Sequence, residues 1–351
     1  MTNIYPVFYG TRNFHSLIKQ DKNKARKILD YVINKSPIQT IITAPHYDNG
    51  LTEIFLGDNF AVKRSDFAIA TSVGITHGEN GTEINLSKHN IEDQLQGILK
   101  RYQTDFVDIL QLHHDDLFCS VSDTADYLHA LRDQGTIKSI GVTNFTLDRL
   151  KLWSEVLDID YIQLPINFLQ LQSVEKVIKF CRSKNIKVIA HSIFGLGLLS
   201  RHDLSNTDLF PYLVDSIQQN LLKLNQEFQK SFLNHNIKIS DILFPWLKMS
   251  DYADFIAFGS QNIENIKHNI NAFETNLNPK HEQMITEYVD KVKKLLPQGL
   301  LLPIKVETIF RENDLIYTKF FGTAVLIPET VSVGDVVYIN EGNGEILTHL
   351  E

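Results

Sequence analysis

The chain contains 351 residues, of which 43% are apolar and 22% are charged. This balance excludes collagen-like, coiled-coil and disordered classes, and a chain of this length can bury a large core. Acidic residues outnumber basic ones by 42 to 34, giving a formal net charge of −8 that argues against a nucleic-acid-binding surface. The length exceeds the roughly 250 residues of a typical single α/β barrel, so a barrel would leave a surplus segment.

Membrane insertion, secretion and a disulfide framework are not predicted. No stretch approaches about 20 consecutive apolar residues, and the N-terminus has neither a basic start nor a long apolar run. The two cysteines, Cys119 and Cys181, fit a reducing compartment. We therefore expect a cytoplasmic protein that acts on a small molecule and binds neither nucleic acid nor a membrane.

Short β-branched, apolar runs alternate with longer amphipathic stretches over residues 1–296. The strand-like runs are residues 4–9, 38–43, 67–71, 106–112, 137–142, 161–164, 187–191 and 255–258. The stretches between them have helical spacing of apolar residues, as at Ile91, Leu95 and Ile98. Eight such units predict the α/β class and a (β/α)8 TIM barrel. A doubly wound sheet shares this alternation, but no glycine-rich dinucleotide turn follows the first run.

Residues 297–351 have no helical period and form the predicted surplus segment. Their β-type runs are residues 304–310, 316–321, 324–327 and 333–339, and an Asn-Gly turn signal at residues 343–344 precedes a last run at 346–347. We predict a small C-terminal all-β extension. It either covers the mouth of the barrel or packs elsewhere and forms a contact between copies in a homo-oligomer.

Functional side chains of such a barrel lie where the strands end at the carboxyl-terminal rim. Four histidines fall at these positions, namely His46, His113, His114 and His191. A protonated His46 or His114 could donate a proton near pH 7, and the alternative is that both face solvent in loops. No metal site is predicted, because adjacent residues such as His113 and His114 point apart on a strand.

The loops at these strand ends resemble those of the aldo-keto reductases over residues 1 to about 296. The matching segments are TAPHYDNG at residues 43–50, VDILQLH at 107–113, IGVTNF at 140–145, Gln163, then Ser192, Gly195, Gly197, Leu198 and Leu199, and finally Gly259, Ser260 and Asn269. Each motif is weak by itself, whereas their shared order along the chain is specific. The resemblance implies a TIM barrel that reduces carbonyl compounds with NADP(H) or NAD(H).

The resemblance also implies which residues bind the cofactor. Thr143, Asn144 and Gln163 would bind the nicotinamide carboxamide, and His191 takes the place of an aromatic side chain that stacks on the nicotinamide. The remaining positions, for the pyrophosphate and the adenosine end, are Ser192, Phe194, Gly195, Gly197, Gly259, Ser260, Asn265 and Asn269.

The position that binds the 2′-phosphate of NADP leaves the cofactor preference open. Asn265 replaces the basic residue that is usual there in the family, although Lys267 and His268 lie close in sequence and could substitute for it.

Two members of the family's four-residue catalytic set are replaced. Tyr47 and His113 match the proton-donating Tyr and the carbonyl-orienting His, whereas Ile42 and Ser72 stand where the family has Asp and Lys. Losing both partners together avoids an uncompensated buried charge, which would cost about 3–5 kcal/mol. Without the neighbouring lysine, we expect the pKa of Tyr47 to stay near its reference value of about 10, and His46 becomes a candidate for the missing acid–base role.

These observations leave three hypotheses open. The first is an oxidoreductase with an altered catalytic set that acts on a carbonyl or sugar-type small molecule. The second is a redox-silent relative that binds the cofactor as a sensor or scaffold. The third is a non-reductive sugar epimerase or lyase on the same barrel.

Overall fold

A computed structural model describes residues 4–78, 81–197, 199, 222–230, 237–295, 301–306, 309–312, 315–320, 323–340 and 346–347. Ten strands lie within residues 7–258 of this part of the chain. They are β1 (Val7–Gly10), β2 (Thr40–Ile42), β3 (Ala68–Val73), β4 (Ile75–Gly78), β5 (Gly81–Ile84), β6 (Val107–Leu112), β7 (Ile137–Thr143), β8 (Tyr161–Pro165), β9 (Lys187–His191) and β10 (Phe255–Phe258).

Eight of these strands close into a parallel barrel in the order β1-β10-β9-β8-β7-β6-β3-β2. The first strand closes the barrel, because Phe8 on β1 is in register with Thr40 on β2 and with Ala257 on β10. All eight strands are parallel, so their carboxyl ends share one rim. The predicted TIM-barrel class is confirmed.

Helices surround the barrel strands. Within the described residues they are α1 (Phe14–Gln20), α2 (Lys22–Lys35), α3 (Leu51–Phe60), α4 (Lys88–Tyr102), α5 (Val121–Asp133), α6 (Leu147–Trp153), α7 (Leu171–Ser183), α8 (residues 222–230), α9 (Ser240–Met249), α10 (Ile263–Glu274) and α11 (Pro279–Leu295). In α4 the side chain of Ser87 accepts the backbone N–H of Asn90, and Ile91, Leu95 and Ile98 are buried against the core, as their spacing predicts. No helix in the described ranges is long and apolar enough to cross a membrane.

The barrel interior contains an apolar layer that lies below the rim. It is formed by Phe8, Ile42, Ala70, Ile109, Ile189 and Ala257. Ile42 is only 5% exposed within this layer. The position where the family has an aspartate is therefore an integral part of this apolar layer, which we call the apolar floor.

The hairpin formed by β4 and β5 was not predicted. The two antiparallel strands follow β3 directly and pair Ile75 with Ile84. The Asn-Gly dipeptide at residues 80–81 was an available sequence signal for it.

The C-terminal extension is all-β in its described part. Its strands are β11 (Leu301–Lys305), β12 (Phe310–Glu312), β13 (Leu315–Phe320), β14 (Thr323–Leu326), β15 (Val336–Asn340) and β16 (Ile346–Leu347). They form two antiparallel three-stranded sheets, β11-β15-β16 and β12-β13-β14, and β14 lies beside β5 of the hairpin. The single run predicted at residues 304–310 is divided between β11 and β12. The predicted turn at 343–344 and the domain boundary at 296–297 lie outside the described residues.

Candidate active site

The loop after β2 and the end of β6 bring three predicted catalytic side chains together. The ring of His46 lies 4.4 Å from that of Tyr47 and 4.6 Å from that of His113, measured between centroids. Backbone hydrogen bonds fix this arrangement, with Tyr47 N donating to Ala44 O over 3.1 Å and His113 N to Val73 O over 2.9 Å. The predicted grouping of these residues on the carboxyl-terminal rim is therefore what the structure shows.

The turn that carries Tyr47 depends on a glycine at its end. Asp48, Asn49 and Gly50 all have positive φ, and α3 begins at the next residue. The positive φ of Gly50 favours glycine there, and a Cβ would also displace the side chain of Arg101, which pairs with Glu53. Lys19 pairs with Asp48 over 2.8 Å and holds the turn from outside.

Burial keeps three of the four rim histidines, His113, His114 and His191, uncharged. The pKa of His113 is lowered well below its ordinary value, chiefly by burial and then by the neighbouring His114, His46 and His191 and by Arg12. Burial also lowers the pKa of His114 to about 4. A protonated His114 as proton donor near pH 7, one of the two alternatives for this residue, is therefore wrong. His114 does not simply face solvent either, because it is only partly exposed and its ring lies 5.1 Å from that of His113.

The pKa of Tyr47 departs from the sequence-based expectation. Burial raises it above 10, and the positive charge of Arg12 lowers it by a smaller amount. The expectation of an unshifted tyrosine is wrong because it took account of the missing lysine but not of desolvation. Tyr47 is fully protonated at neutral pH, so it can donate a proton but is a poor base.

Ser72 lies in the layer between the apolar floor and the rim. It is 6% exposed and is in register with Gln111 on β6, so the two side chains share the inner face of the barrel. Gln111 is buried, and neither atom of its side-chain amide has a hydrogen-bond partner within the described ranges. Sequence reasoning missed Gln111, although a polar residue inside the fourth barrel strand was a visible signal. Neutral polar groups therefore occupy the layer above the apolar floor, at the position where the family has a lysine.

A buried ion pair nearby does not replace the missing one. Glu53 accepts from Arg101 Nε over 2.6 Å and from Thr71 Oγ1 over 3.3 Å, and burial raises its pKa. Thr71 precedes Ser72 on the same strand and so faces the opposite side of the sheet. The Glu53–Arg101 pair thus lies outside the barrel wall, where it fastens α3 to α4.

The residues predicted to bind the carboxamide lie at the ends of β7 and β8. Asn144 N donates to Gln163 O over 3.0 Å, which joins the two strand ends. Thr143 Oγ1 and Gln163 Oε1 are buried, and within the described part of the chain neither has a hydrogen-bond partner. A carboxamide carries one acceptor and one donor group, which match a hydroxyl and an amide oxygen. These residues therefore fit a nicotinamide.

His191 is held in one tautomer between two polar side chains. Its Nε2 lies 3.1 Å from Asn144 Oδ1, and its Nδ1 lies 3.0 Å from Ser192 Oγ. An amide oxygen can only accept, so Nε2 carries the hydrogen and Nδ1 accepts from the serine hydroxyl. Burial, with smaller effects of Arg12 and His114, lowers the pKa of His191 to about 3. The imidazole at the stacking position is neutral.

The loop after β9 is shaped by internal hydrogen bonds. Gly195 N donates to Ser192 O over 2.8 Å, and Gly197 N donates to Phe194 O over 3.0 Å. Asn167 holds this loop in place. Its Nδ2 donates to Ser192 O over 3.0 Å, and its Oδ1 accepts from the backbone N–H of Leu169, just before α7. Sequence reasoning missed Asn167, although it is a polar residue two positions after the end of β8. Leu198, part of the same motif, lies outside the described residues.

The adenosine-side positions are divided between the rim and helix α10. Gly259 is required by close packing, because a Cβ there would lie 2.5 Å from Gly10 O. Ser260 O accepts from the hydroxyl of Tyr9 over 2.6 Å. On α10, Asn265 is exposed whereas Asn269 is buried.

The two residues considered as substitutes for a 2′-phosphate-binding residue have acidic neighbours within the chain. Lys267 pairs with Glu264 over 2.7 Å, and His268 lies 2.8 Å from Asp241.

The acidic residues after His114 have structural roles. Asp115 accepts two hydrogen bonds from the guanidinium of Arg149 and one from Trp153 Nε1. Asp116 accepts the backbone N–H groups of Leu86 and Phe118. In the part of the chain that the structure describes, no group of three or more His, Cys, Asp or Glu side chains could hold a metal ion.

Comparison with known proteins identifies the class to which this fold and site belong. A model of the Aldo/keto reductase family matches residues 6–290. The chain belongs to the aldo/keto reductase family of oxidoreductases, which confirms the resemblance drawn from its motifs.

Curated relatives match the chain over different lengths. It is 23% identical over 278 residues to the NADH-specific methylglyoxal reductase of Escherichia coli (strain K12), covering 73% of this chain and 85% of that protein. It is 25% identical over 246 residues to the D-threo-aldose 1-dehydrogenase of a Pseudomonas species, covering 62% of this chain and 74% of that protein. Against aldo-keto reductase YhdN of Bacillus subtilis (strain 168) it is 28% identical over 165 residues, or 46% of this chain, and spans half of that relative's length.

Solved structures share the fold. A glycerol dehydrogenase from Gluconobacter oxydans superposes with a TM-score of 0.71 at 20% identity, covering 85% of this chain and 94% of that one. An aldo-keto reductase from Bacillus halodurans in its holo form gives a TM-score of 0.68 at 24% identity, covering 81% and 92%.

Proposed function

We propose that the protein is an NAD(P)(H)-dependent oxidoreductase that reduces a carbonyl or sugar-type small molecule with a modified catalytic set. The observation that carries this proposal is the cluster of Tyr47, His46 and His113 rings on the same rim as the carboxamide-compatible atoms of Thr143 and Gln163. Relatives named as a methylglyoxal reductase and an aldose dehydrogenase support a small oxygenated substrate.

The cofactor would be held by Thr143, Asn144 and Gln163 at its carboxamide, with the neutral ring of His191 at the stacking position. Bound there, NADP(H) or NAD(H) supplies the hydride. Asn144 Oδ1 already accepts from His191, which fixes that ring before any cofactor enters.

Tyr47 and His113 would act on the carbonyl oxygen of the substrate. Tyr47 donates its phenolic proton, since burial keeps it protonated at neutral pH. His113 is neutral, so its ring N–H orients the carbonyl by a hydrogen bond without adding a charge. The ring of His46 lies beside both rings, and His46 is proposed to relay a proton from solvent to Tyr47 after each turnover, taking up a proton on one ring nitrogen as it gives one from the other.

Cofactor binding and turnover test this proposal together. Titration of the full-length protein should change the fluorescence of NADH or NADPH, and a panel of methylglyoxal and aldoses should give loss of absorbance at 340 nm. Tyr47→Phe should retain cofactor binding and lose most turnover, by about 10²- to 10⁴-fold for a lost general acid. The matched control is Tyr127→Phe, which removes the hydroxyl of a partly buried tyrosine on α5 and should behave as wild type. Absence of any cofactor binding would contradict the proposal.

A redox-silent, cofactor-binding protein is the second candidate, and the apolar floor favours it. Ile42 packs among apolar residues and Ser72 carries no charge, so neither of the two replaced positions supplies the charges of the family's Asp and Lys. This candidate predicts cofactor binding without turnover of any carbonyl compound. Turnover by the wild-type protein that depends on Tyr47 would eliminate it.

A further inference from the structure

The loop after β1 places Arg12 beside the catalytic cluster. Thr11 donates to Ile42 O from both its backbone N–H and its hydroxyl, each over 3.0 Å, so this loop is fastened to the end of β2. Phe14 N then donates to Thr11 O over 2.8 Å, which turns the chain into α1. Arg12 is therefore held next to the segment that carries Tyr47.

The charge of Arg12 reaches three different strand ends. It acts on Tyr47 after β2, on His113 after β6 and on His191 at the end of β9, shifting the pKa of each group downward. Its side chain is exposed rather than packed into the wall. Arg12 follows the end of β1 by two residues on the carboxyl-terminal rim, so its exposed positive charge lies at the mouth of the barrel.

Acidic groups of the rim are already paired, whereas Arg12 is not. Asp48 pairs with Lys19, and Asp115 pairs with Arg149. Arg12 forms no ion pair with any residue that the structure describes. Since His113, His114 and His191 are neutral, Arg12 contributes a positive charge that no carboxylate of the described rim residues offsets through an ion pair.

We propose that Arg12 binds a carboxylate of the substrate, so that the protein prefers carbonyl compounds whose carbonyl is next to a carboxylate, such as short 2-oxo acids. This inference rests on the proposed carbonyl reduction. A guanidinium pairs with a carboxylate through two parallel hydrogen bonds, and one positive charge balances one negative charge. The N–H of His113 and the hydroxyl of Tyr47 then remain for the adjacent carbonyl oxygen.

Glyoxylate and its uncharged amide, glyoxylamide, form a matched pair of substrates for testing this. Wild-type protein should reduce glyoxylate with the higher kcat/KM. Arg12→Met should lower the glyoxylate-to-glyoxylamide ratio of kcat/KM by about 10- to 100-fold, as expected for a lost charge-assisted contact. Arg12→Lys should give a ratio between those of the wild type and Arg12→Met. Arg26→Met, which removes an exposed arginine from α2, should leave the ratio unchanged.

Equilibrium binding separates this inference from the proposed reaction. Oxamate, which carries a carboxylate but is not reduced, should bind the NADH-saturated protein at least tenfold more tightly than its neutral ethyl ester, and Arg12→Met should abolish that difference. Oxamate binding of this kind without turnover of any substrate would overturn the proposed function and leave the anion site standing. Equal losses on glyoxylate and glyoxylamide, or a weakening of NADH binding alone by Arg12→Met, would overturn the inference.

Discussion

His191 Nε2 lies 3.1 Å from Asn144 Oδ1, so the residue at the nicotinamide-stacking position is hydrogen-bonded to a residue at a carboxamide-binding position. This contact couples two parts of the proposed cofactor site. It fixes the imidazole, but it also occupies an acceptor that a carboxamide N–H could otherwise use. The orientation of the His191 ring is therefore fixed by an acceptor, Asn144 Oδ1, that is less available to the carboxamide of the cofactor.

Replacing His191 with phenylalanine tests whether the His191–Asn144 hydrogen bond weakens cofactor binding. His191→Phe provides a larger face for stacking and frees Asn144 Oδ1, so we expect NADH to bind several-fold more tightly. Fluorescence titration of NADH measures the change. The control is the double variant with Asn144→Ala, in which the gain that comes from the freed acceptor should disappear. Weaker binding by His191→Phe would show that the imidazole itself contacts the cofactor through a polar atom.

Because buried histidines stay neutral in the folded protein, we expect the free energy of unfolding to depend on pH below about pH 6.5. The pKa of His191 is about 3 and that of His114 about 4 in the folded protein, against about 6.5 in the unfolded chain. Between these values the unfolded chain binds more protons, so the free energy of unfolding falls as the pH drops from about 6.5 toward 4. Urea denaturation at pH 7.5, 5.5 and 4.5 measures this slope.

A variant assigns part of that slope to one residue. His114→Gln cannot take up a proton, so its free energy of unfolding should lose less between pH 7.5 and 4.5 than that of the wild type. His89→Gln, which removes an exposed histidine, is the matched control and should keep the wild-type slope. An unchanged slope in His114→Gln would contradict the assignment.

The barrel and most of the rim could be predicted because they depend on local patterns. Apolar runs of strand length and the motif around Tyr47 can each be recognised from the sequence without knowledge of tertiary contacts. The pKa shift of Tyr47 and the position of Arg12 could not be predicted in this way. Both depend on which side chains the closed barrel brings together, through the bond from Thr11 to Ile42 and through desolvation.

The preference between the two cofactors should favour NAD(H). Lys267 is paired with Glu264, and the residue at the usual basic position, Asn265, is exposed and uncharged. A 2′-phosphate dianion would therefore meet no free cation among the described residues of α10. We expect NADH to bind more tightly than NADPH, and Asn265→Arg to improve NADPH binding about tenfold with little effect on NADH. An NADPH preference in the wild type would contradict this.

Substitutions at the replaced positions Ile42 and Ser72 should have non-additive effects on the free energy of unfolding. Ile42→Asp alone puts a carboxyl group into the apolar floor, and Ser72→Lys alone puts an unpaired ammonium group above it, so each should lower the free energy of unfolding by about 3 kcal/mol or more. The double variant restores a possible ion pair and should lose at least about 1 kcal/mol less than the sum of the two single losses. Urea denaturation of the four proteins at pH 7.5 measures this coupling. Strictly additive losses would show that side chains at positions 42 and 72 do not lie close enough to form an ion pair.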